Sequence, residues 1–290
     1  MNKLPPGLTF VVLCGVSVIL WMRPLLDTFA LAAGGDRYTQ ILLILPVVVA
    51  LIFLGWREHG IQPGIWPPAV ALLMLSLTMS AAARWGHLGS ADVALGIAML
   101  SLVMWWIGSF AFSFGLPALR SFPFPLLFLL WMVPIPKVAL DWVVAGLQQA
   151  SAVASQWLFL LFRVPVSRDG TSLAIPGLDI DVTAECSSIR SSLMLLVTTM
   201  VLAHLLLNKT WRKVLVVAIA IPLSVAKNGL RIFTIAMLGS RVDPDYLTGR
   251  LHRHGGIVFF LIALALIFVS VLVLRRGEGS AASPLIPQRS

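Results

Sequence analysis

The chain of 290 residues is 59% hydrophobic and only 11% charged, whereas about 25% of the residues in a soluble domain are charged. This composition excludes a soluble globular enzyme and indicates a polytopic membrane protein. The net charge of +9 does not indicate a nucleic-acid partner, because the basic residues are scattered at the ends of apolar runs, as topology signals and lipid contacts are. Residues 1–276 are therefore predicted to form a single integral membrane domain.

Nine apolar runs approach the length of about 20 residues that a membrane helix needs. One of them differs from the rest, because Asp141, Gln148 and Gln149 alternate with apolar residues, as on an amphipathic helix at a membrane surface. The chain is thus predicted to be an all-α protein with about eight transmembrane helices and one external amphipathic helix. The runs are 8–24, 40–56, 65–83, 92–114, 121–136, 138–162, 186–207, 213–238 and 256–274, of which 138–162 is the amphipathic one.

Two segments of the chain are not predicted to be helical. Residues 163–185 contain the turn sequence Arg168-Asp169-Gly170 between short runs rich in β-branched residues, which predicts a small extended or hairpin element. Residues 277–290 are polar and rich in Ser, Pro and Gly, and they are predicted to be a disordered cytoplasmic tail.

The orientation follows from the basic residues that flank the last three spans. Residues 209–213 carry three basic side chains, and the last span ends in Arg275 and Arg276, so both places are predicted to be cytoplasmic. Both chain termini are then inside if 138–162 lies on the outer surface. An external N-terminus is the alternative that also satisfies the charge pattern.

Three polar side chains are predicted to reach the external face on three different helices. A helix rises about 1.5 Å per residue, so Cys186 lies about 35 Å from Lys209, and Arg231 lies about 27 Å from Lys213. His252 and the nearby His254 come similarly far before the basic end of the last span. Because the hydrocarbon core is about 30 Å thick, a thiol, a guanidinium and an imidazole arrive at one level.

Cys186 occupies a position that favours a reactive thiolate. The start of a helix and the cation Arg190, four residues on, both lower the pKa of a thiol. Cys14, within the first apolar run, has no such neighbours and is interpreted as a packing residue. A free thiol at Cys186 is therefore a candidate nucleophile.

Arg231 and the two histidines are candidate partners for this thiol. Ionisable residues within a membrane helix indicate function, and Asn228, three residues earlier, is predicted to orient Arg231 by a hydrogen bond. Either His252 or His254 can take a proton from a thiol and return it to a leaving amine near neutral pH. Lys227 is interpreted as a charge partner for a carboxylate such as Glu185.

The middle of the chain resembles the exosortase/archaeosortase family. The segments that carry this resemblance cover about residues 120–270, and the family core is predicted to lie there. They are, in chain order, FLLWMVPIP, VPVSRDG, IPG, AECSSIRSS, NGLRI and LHRHGGIVFF.

The resemblance implies a membrane-embedded cysteine peptidase or transpeptidase, similar to sortases in chemistry and not in fold. Its catalytic residues correspond to Cys186, Arg231 and His252, because the family histidine precedes a glycine by four and Gly256 stands there. Arg190 matches a family arginine that follows the cysteine. Asn228 and His254 are further supporting residues, and the resemblance implies no metal and no organic cofactor.

The implied partners are membrane-anchored precursor proteins that end in a short motif, a membrane helix and a basic tail. The family cleaves such sorting signals, of which Pro-Glu-Pro is one motif, at the outer face of the inner membrane. Here Ser188 replaces the glycine of the family pattern and Glu185 precedes the cysteine, so that motif is not assumed. Two other classes remain open, a transporter or channel for an anionic solute and an enzyme that processes lipid phosphates.

Overall fold

The computed structural model describes the chain except at its two ends and in several internal segments. The described residues are 5–34, 37–59, 64, 66–85, 89–182, 189–243 and 256–278. Their contacts form two compact units, Met1–Leu140 and Asp141–Ser290. The range predicted as one domain, residues 1–276, thus contains two units.

The regular elements of the first unit are all helices in its described residues. The elements are α1 (Pro6–Leu20), α2 (Met22–Gly34), α3 (Ile41–His59), α4 (Ala69–Trp85), α5 (Ala91–Ser121), α6 (Pro123–Phe128) and a 3₁₀ helix (Leu129–Met132). Three of them, α3, α4 and α5, follow predicted runs, and α5 contains a break at Gly115 (φ 86°) just where the apolar run 92–114 ends. The run 8–24 is divided between α1 and α2, and the run 121–136 forms only the short α6 and a 3₁₀ helix.

Tryptophan side chains attach α1 to α5 within the first unit. The indole N–H of Trp105 donates to the carbonyl of Leu13 at 2.9 Å, and that of Trp21 donates to Ser101 at 2.8 Å. A buried indole needs such a partner. The core of this unit is therefore a packed helix bundle with satisfied polar groups at these positions.

The described part of the second unit combines four helices with a small sheet. Its elements are α7 (Lys137–Leu161, which starts at the end of the first unit), β1 (Ser167–Asp169), β2 (Ser172–Ile175), β3 (Leu178–Asp181), α8 (Ile189–Leu206), α9 (Thr210–Arg241) and α10 (Gly256–Arg276). The three strands form an antiparallel sheet in the order β1-β2-β3. The extended element predicted at 163–185 is confirmed, with three strands instead of a single hairpin.

Two apolar clusters hold the second unit together. One joins α7, the sheet and α9, with Phe159, Leu173 and Phe233 among its buried members. The other joins α8, α9 and α10, with Leu195, Val216 and Ile267 among its members. The long helix α9 belongs to both clusters, so it links the sheet side of the unit to the α8–α10 side.

The predicted class, an all-α polytopic membrane protein, is confirmed. Among the described residues, α5, α8, α9 and α10 are each long and apolar enough to cross a membrane. The number rises to six if each of two bent helix pairs counts as one span, and α3 and α4 are shorter apolar helices. The count is lower than the eight predicted because the runs 40–56 and 65–83 form these shorter helices, and the runs 8–24 and 121–136 belong to the bent pairs, the second of which also contains α7.

Candidate active site

The polar positions of α7 contact the sheet and α9. Gln148 Nε2 donates to the carbonyl of Val182 at 2.9 Å, and Arg168 Nε donates to Gln156 Oε1 at 2.9 Å. The outward positions of α7 include Trp142 and Trp157, which are 77% and 69% exposed. Some of the polar side chains of α7 therefore make contacts within the protein. The placement of α7 on the outer surface stays a prediction.

A glycine on α9 brings α9 close to α7. A Cβ atom at Gly229 would lie 2.7 Å from Cβ of Ala154 and 3.1 Å from the backbone N of Ser155. Ser155 Oγ donates to the carbonyl of Gly229 at 3.2 Å, and Asn228 Nδ2 donates to Ser151 Oγ at 2.9 Å. The Asn-Gly pair of the NGLRI segment thus fixes this turn of α9 against α7.

Arg231 lies one helical turn beyond Lys227 and shares its side of α9. Lys227 and Asn228 are buried, at 6% and 1% exposure, whereas Arg231 is half-buried. Asn228 was expected to orient Arg231 by a direct hydrogen bond. The bond from Asn228 to Ser151 shows that Asn228 anchors the helical turn from which Arg231 projects, and the direct bond to Arg231 stays a prediction.

Serine side chains attach the first turns of α8 to α9. Ser224 Oγ donates to Ser192 Oγ at 2.6 Å, and Lys227 Nζ donates to Ser191 Oγ. Lys227 was expected to pair with Glu185, which lies outside the described residues. Its described partner is a serine hydroxyl, so the start of α8 is held directly against the part of α9 that precedes Arg231.

Three predicted site residues fall outside the part of the chain that the structure describes. Cys186 belongs to residues 183–188, and His252 and His254 belong to residues 244–255. Both segments connect directly to described helices, at Ile189 of α8 and at Gly256 of α10. Arg190, the supporting residue on α8, is exposed. The structure therefore brings together Asn228, Lys227 and Arg231 and leaves the thiol and the imidazoles as predictions.

The opposite ends of these helices meet in a second polar cluster. Arg212 at the start of α9 donates to the carbonyls of Leu274 and Gly277, and Glu278 accepts the backbone N–H groups of Asn208 and Lys209 at 2.9 and 3.0 Å. The basic loop and the basic end of α10 thus lie at one end of the helices, as the charge pattern predicts. Residues 277 and 278, the first two of the predicted disordered tail, are part of this packed cluster.

Glu278 is held ionised by these contacts. Partial burial raises the pKa of its carboxyl, but the backbone N–H groups of Lys209 and Asn208, together with the charges of Arg212 and Lys209, lower it by more. The pKa of Glu278 therefore lies below its ordinary value. The carboxylate accepts hydrogen bonds at the N-terminal end of the 32-residue helix α9, where negative charge is favourable.

The basic cluster lies at the N-terminal end of α9, and Arg231 lies roughly 30 Å further along this helix. The helices α8 and α10 both pack against α9. Ile189 and Gly256, where the Cys186 and histidine segments join α8 and α10, lie at the helix ends away from the basic cluster. Residues 279–290, the remainder of the predicted tail, lie outside the described residues.

The fold and these contacts define a polytopic α-helical membrane protein with a polar cluster at one end of its C-terminal helices. A family model described as transmembrane exosortase matches residues 32–269, which is most of the chain, and the protein belongs to this family. The match begins well before residue 120, so it extends beyond the range of about 120–270 that the motifs indicated. No curated protein and no solved structure matches the chain.

Proposed function

We propose that this protein is a cysteine peptidase or transpeptidase that cleaves C-terminal sorting signals of exported proteins at the outer face of the inner membrane. Membership of the transmembrane exosortase family supports the class of reaction. The observation that carries the assignment of residues is the anchoring of Arg231 at the end of the helices to which the Cys186 and His252 segments connect.

Chain connectivity limits how far the proposed partners can lie from this end. Three peptide links join Cys186 to Ile189, so their Cα atoms are within about 11 Å of each other. Four links join His252 to Gly256, which gives about 15 Å. These limits support a site in which the thiol, the imidazole and the guanidinium of Arg231 act on one substrate carbonyl.

Each of the three residues has a distinct role in the proposed reaction. His252 takes the proton of the Cys186 thiol, and the resulting thiolate attacks the scissile carbonyl. His252 then gives this proton to the leaving amine. Arg231 stabilises the negative oxygen of the tetrahedral intermediate by a charge-assisted hydrogen bond. An acceptor amine or water then resolves the thioester and releases the free thiol.

The supporting residues act on the geometry of the site in this proposal. Asn228 fixes the turn of α9 that carries Arg231 through its bond to Ser151. Arg190 adds positive charge at the start of α8, which favours the thiolate. His254 is the second candidate for the general base. The substrate is a membrane-anchored precursor with a C-terminal motif, a membrane helix and a basic tail.

A transporter or channel for an anionic solute is the less favoured alternative. A solute path needs polar side chains along the whole depth of the helices. In the described interior between α8, α9 and α10, the polar contacts at Ser192 give way to an apolar cluster that includes Leu195, Ala203 and Val216. This arrangement favours a site at one end over a path through the protein.

The decisive experiment is processing of a cognate precursor in cells that express single variants. Cys186→Ala is expected to abolish cleavage, because the proposed thioester forms on this thiol. Cys14→Ala removes the chain's other thiol, a half-buried cysteine of α1, and is expected to leave cleavage unchanged. Full cleavage by Cys186→Ala contradicts the proposal.

A further inference from the structure

The basic cluster at the start of α9 and the end of α10 has an excess of positive charge. Its members are Lys209, Arg212, Lys213, Arg275 and Arg276, together with the carboxylate of Glu278. The other acidic residue in the described ranges 189–243 and 256–278 is Asp243, which lies past the far end of α9. The proposed reaction uses none of these basic residues, so it does not account for the excess charge.

Contacts within the basic cluster hold two distant segments of the chain side by side. Arg212 donates to the carbonyls of Leu274 and Gly277, and its guanidinium lies 3.8 Å from the Glu278 carboxylate. The backbone N–H of Lys209 donates to the same carboxylate at 3.0 Å. The one carboxylate of the cluster is therefore used inside it, where it fixes the start of α9 to the last turn of α10.

The outer surface of the basic cluster combines cations with an aromatic ring. Lys209, Arg275 and Arg276 are exposed. Trp211 is 58% exposed, and its ring centroid lies 5.1 Å from Cζ of Arg212, a cation–π contact that holds the indole at the cluster. Tryptophan is enriched at the level of the lipid headgroups in membrane proteins.

This surface is continuous with apolar flanks of two helices. Val214 on α9 and Val273 on α10 are exposed and stand within two residues of basic members of the cluster. Both helices are long and apolar enough to cross a membrane, so their shared end lies at a membrane surface. A ligand that fits here is anionic at one end and apolar along the rest, whereas a soluble anion would use only the charges.

We propose that the basic cluster binds an anionic phospholipid of the surrounding bilayer, with its phosphate at Lys209, Arg275 and Arg276 and an acyl chain beside Trp211. Anionic lipid attracts basic side chains near a membrane surface, and each of them strengthens binding by about fivefold. The lipid then bridges α9 and α10 at the end where Glu278 already joins them. Lipid binding at this end does not depend on the proposed reaction.

The first test compares lipids on the purified full-length protein in a neutral detergent. A ligand that binds the folded protein raises its melting temperature as its concentration rises, which gives a dissociation constant. Dioctanoyl phosphatidylglycerol is expected to raise the melting temperature, and phosphatidylcholine with the same chains is not. Equal effects of the two lipids overturn the proposal, because headgroup charge would then not matter. An equal effect of inorganic phosphate also overturns it, in favour of a site for a free anion.

Variants locate the binding at the basic cluster. Arg275→Gln combined with Arg276→Gln is expected to weaken phosphatidylglycerol binding by about 25-fold, and replacement of both by Lys is expected to keep binding close to that of the parent. Arg241→Gln is the matched control, because Arg241 is an exposed basic residue at the other end of α9, and it is expected to bind as the parent does. Parent-like binding by the double glutamine variant, or equal weakening by Arg241→Gln, overturns the proposal.

A second measurement does not require the arginine variants to fold. Phosphatidylglycerol with brominated chains quenches the fluorescence of tryptophans that touch its chains. Trp211→Phe keeps an aromatic ring next to Arg212 and is expected to lose most of the quenching seen in the parent. Equal quenching in the parent and in Trp211→Phe contradicts the placement of the lipid at this cluster.

Discussion

A single methyl group at Gly229 is expected to separate α7 from α9 and to weaken the site. The added Cβ of Gly229→Ala would lie 2.7 Å from Cβ of Ala154 and 3.1 Å from the backbone N of Ser155. Carbon atoms in contact are normally about 3.5–4.0 Å apart. Because the obstructing atoms belong to the backbone and the Cβ of α7, no flexible side chain can move aside, and the helices must separate by about 1 Å.

The free-energy cost of Gly229→Ala comes from overpacking and from the loss of a hydrogen bond. Overpacking of a core costs about 1–3 kcal/mol, and the bond from Ser155 to Gly229, already 3.2 Å long, would be lost. A net hydrogen bond contributes about 0.5–1.5 kcal/mol. Gly229→Ala is therefore expected to destabilise the protein by about 2–4 kcal/mol and to reduce processing, since Arg231 is two residues away.

Thermal unfolding of the purified protein in detergent, followed by the fluorescence of its ten tryptophans, measures the change. Gly146→Ala is the matched control, because a Cβ at this glycine of α7 would meet nothing within 4 Å. The control is expected to be neutral or slightly stabilising. A second change, Ala154→Gly, removes the nearest obstructing atom and is expected to restore part of the stability of Gly229→Ala. Equal melting temperatures for Gly229→Ala and Gly146→Ala would refute the close-packing argument.

Two further predictions concern Arg231 of α9 and the contacts of Glu278 next to the start of α9. Arg231→Lys keeps the positive charge but loses the planar donor geometry of the guanidinium. It is expected to lower the rate of precursor cleavage by about 10²–10³-fold and to leave the melting temperature unchanged. A cleavage rate near that of the parent would remove Arg231 from the proposed reaction. Glu278→Gln removes a carboxylate whose pKa is lowered in the folded protein. The ionised carboxylate therefore stabilises the folded protein at neutral pH, and this stabilisation is lost as the pH falls below 4.5, the ordinary pKa of a glutamate. The melting temperatures of the parent and of Glu278→Gln are therefore expected to differ at pH 7 and to converge in acid, and a difference that persists in acid would show that the carboxylate charge does not matter.

The helices of this protein could be predicted from the sequence because each one is a local feature. An apolar run is long enough to form a membrane helix whatever it packs against. The predicted run 138–162 became α7, Lys137–Leu161, and the run 256–274 became α10, Gly256–Arg276. The candidate site residues were also found locally, from ionisable side chains within apolar runs and from short motifs.

Sequence patterns say less where the contacts of a residue depend on a distant partner. The polar residues of α7 have the spacing of a helix at a membrane surface, and only the structure shows that Gln148 and Gln156 also contact the sheet segment. Glu278 has polar neighbours in sequence, and these give no sign that its carboxylate accepts the backbone N–H groups of Asn208 and Lys209, just before α9 and about seventy residues away in the chain.

The sequence by itself thus determined the membrane class, the helices and the chemistry that the site residues offer, since hydropathy and side-chain chemistry belong to the residues themselves. Only the tertiary structure decided that Gly229 sets the approach of α7 to α9, that Asn228 anchors the turn bearing Arg231, and that Lys227 reaches Ser191. The physical reason is that each of these contacts joins residues more than thirty positions apart, and their distance depends on how whole helices pack.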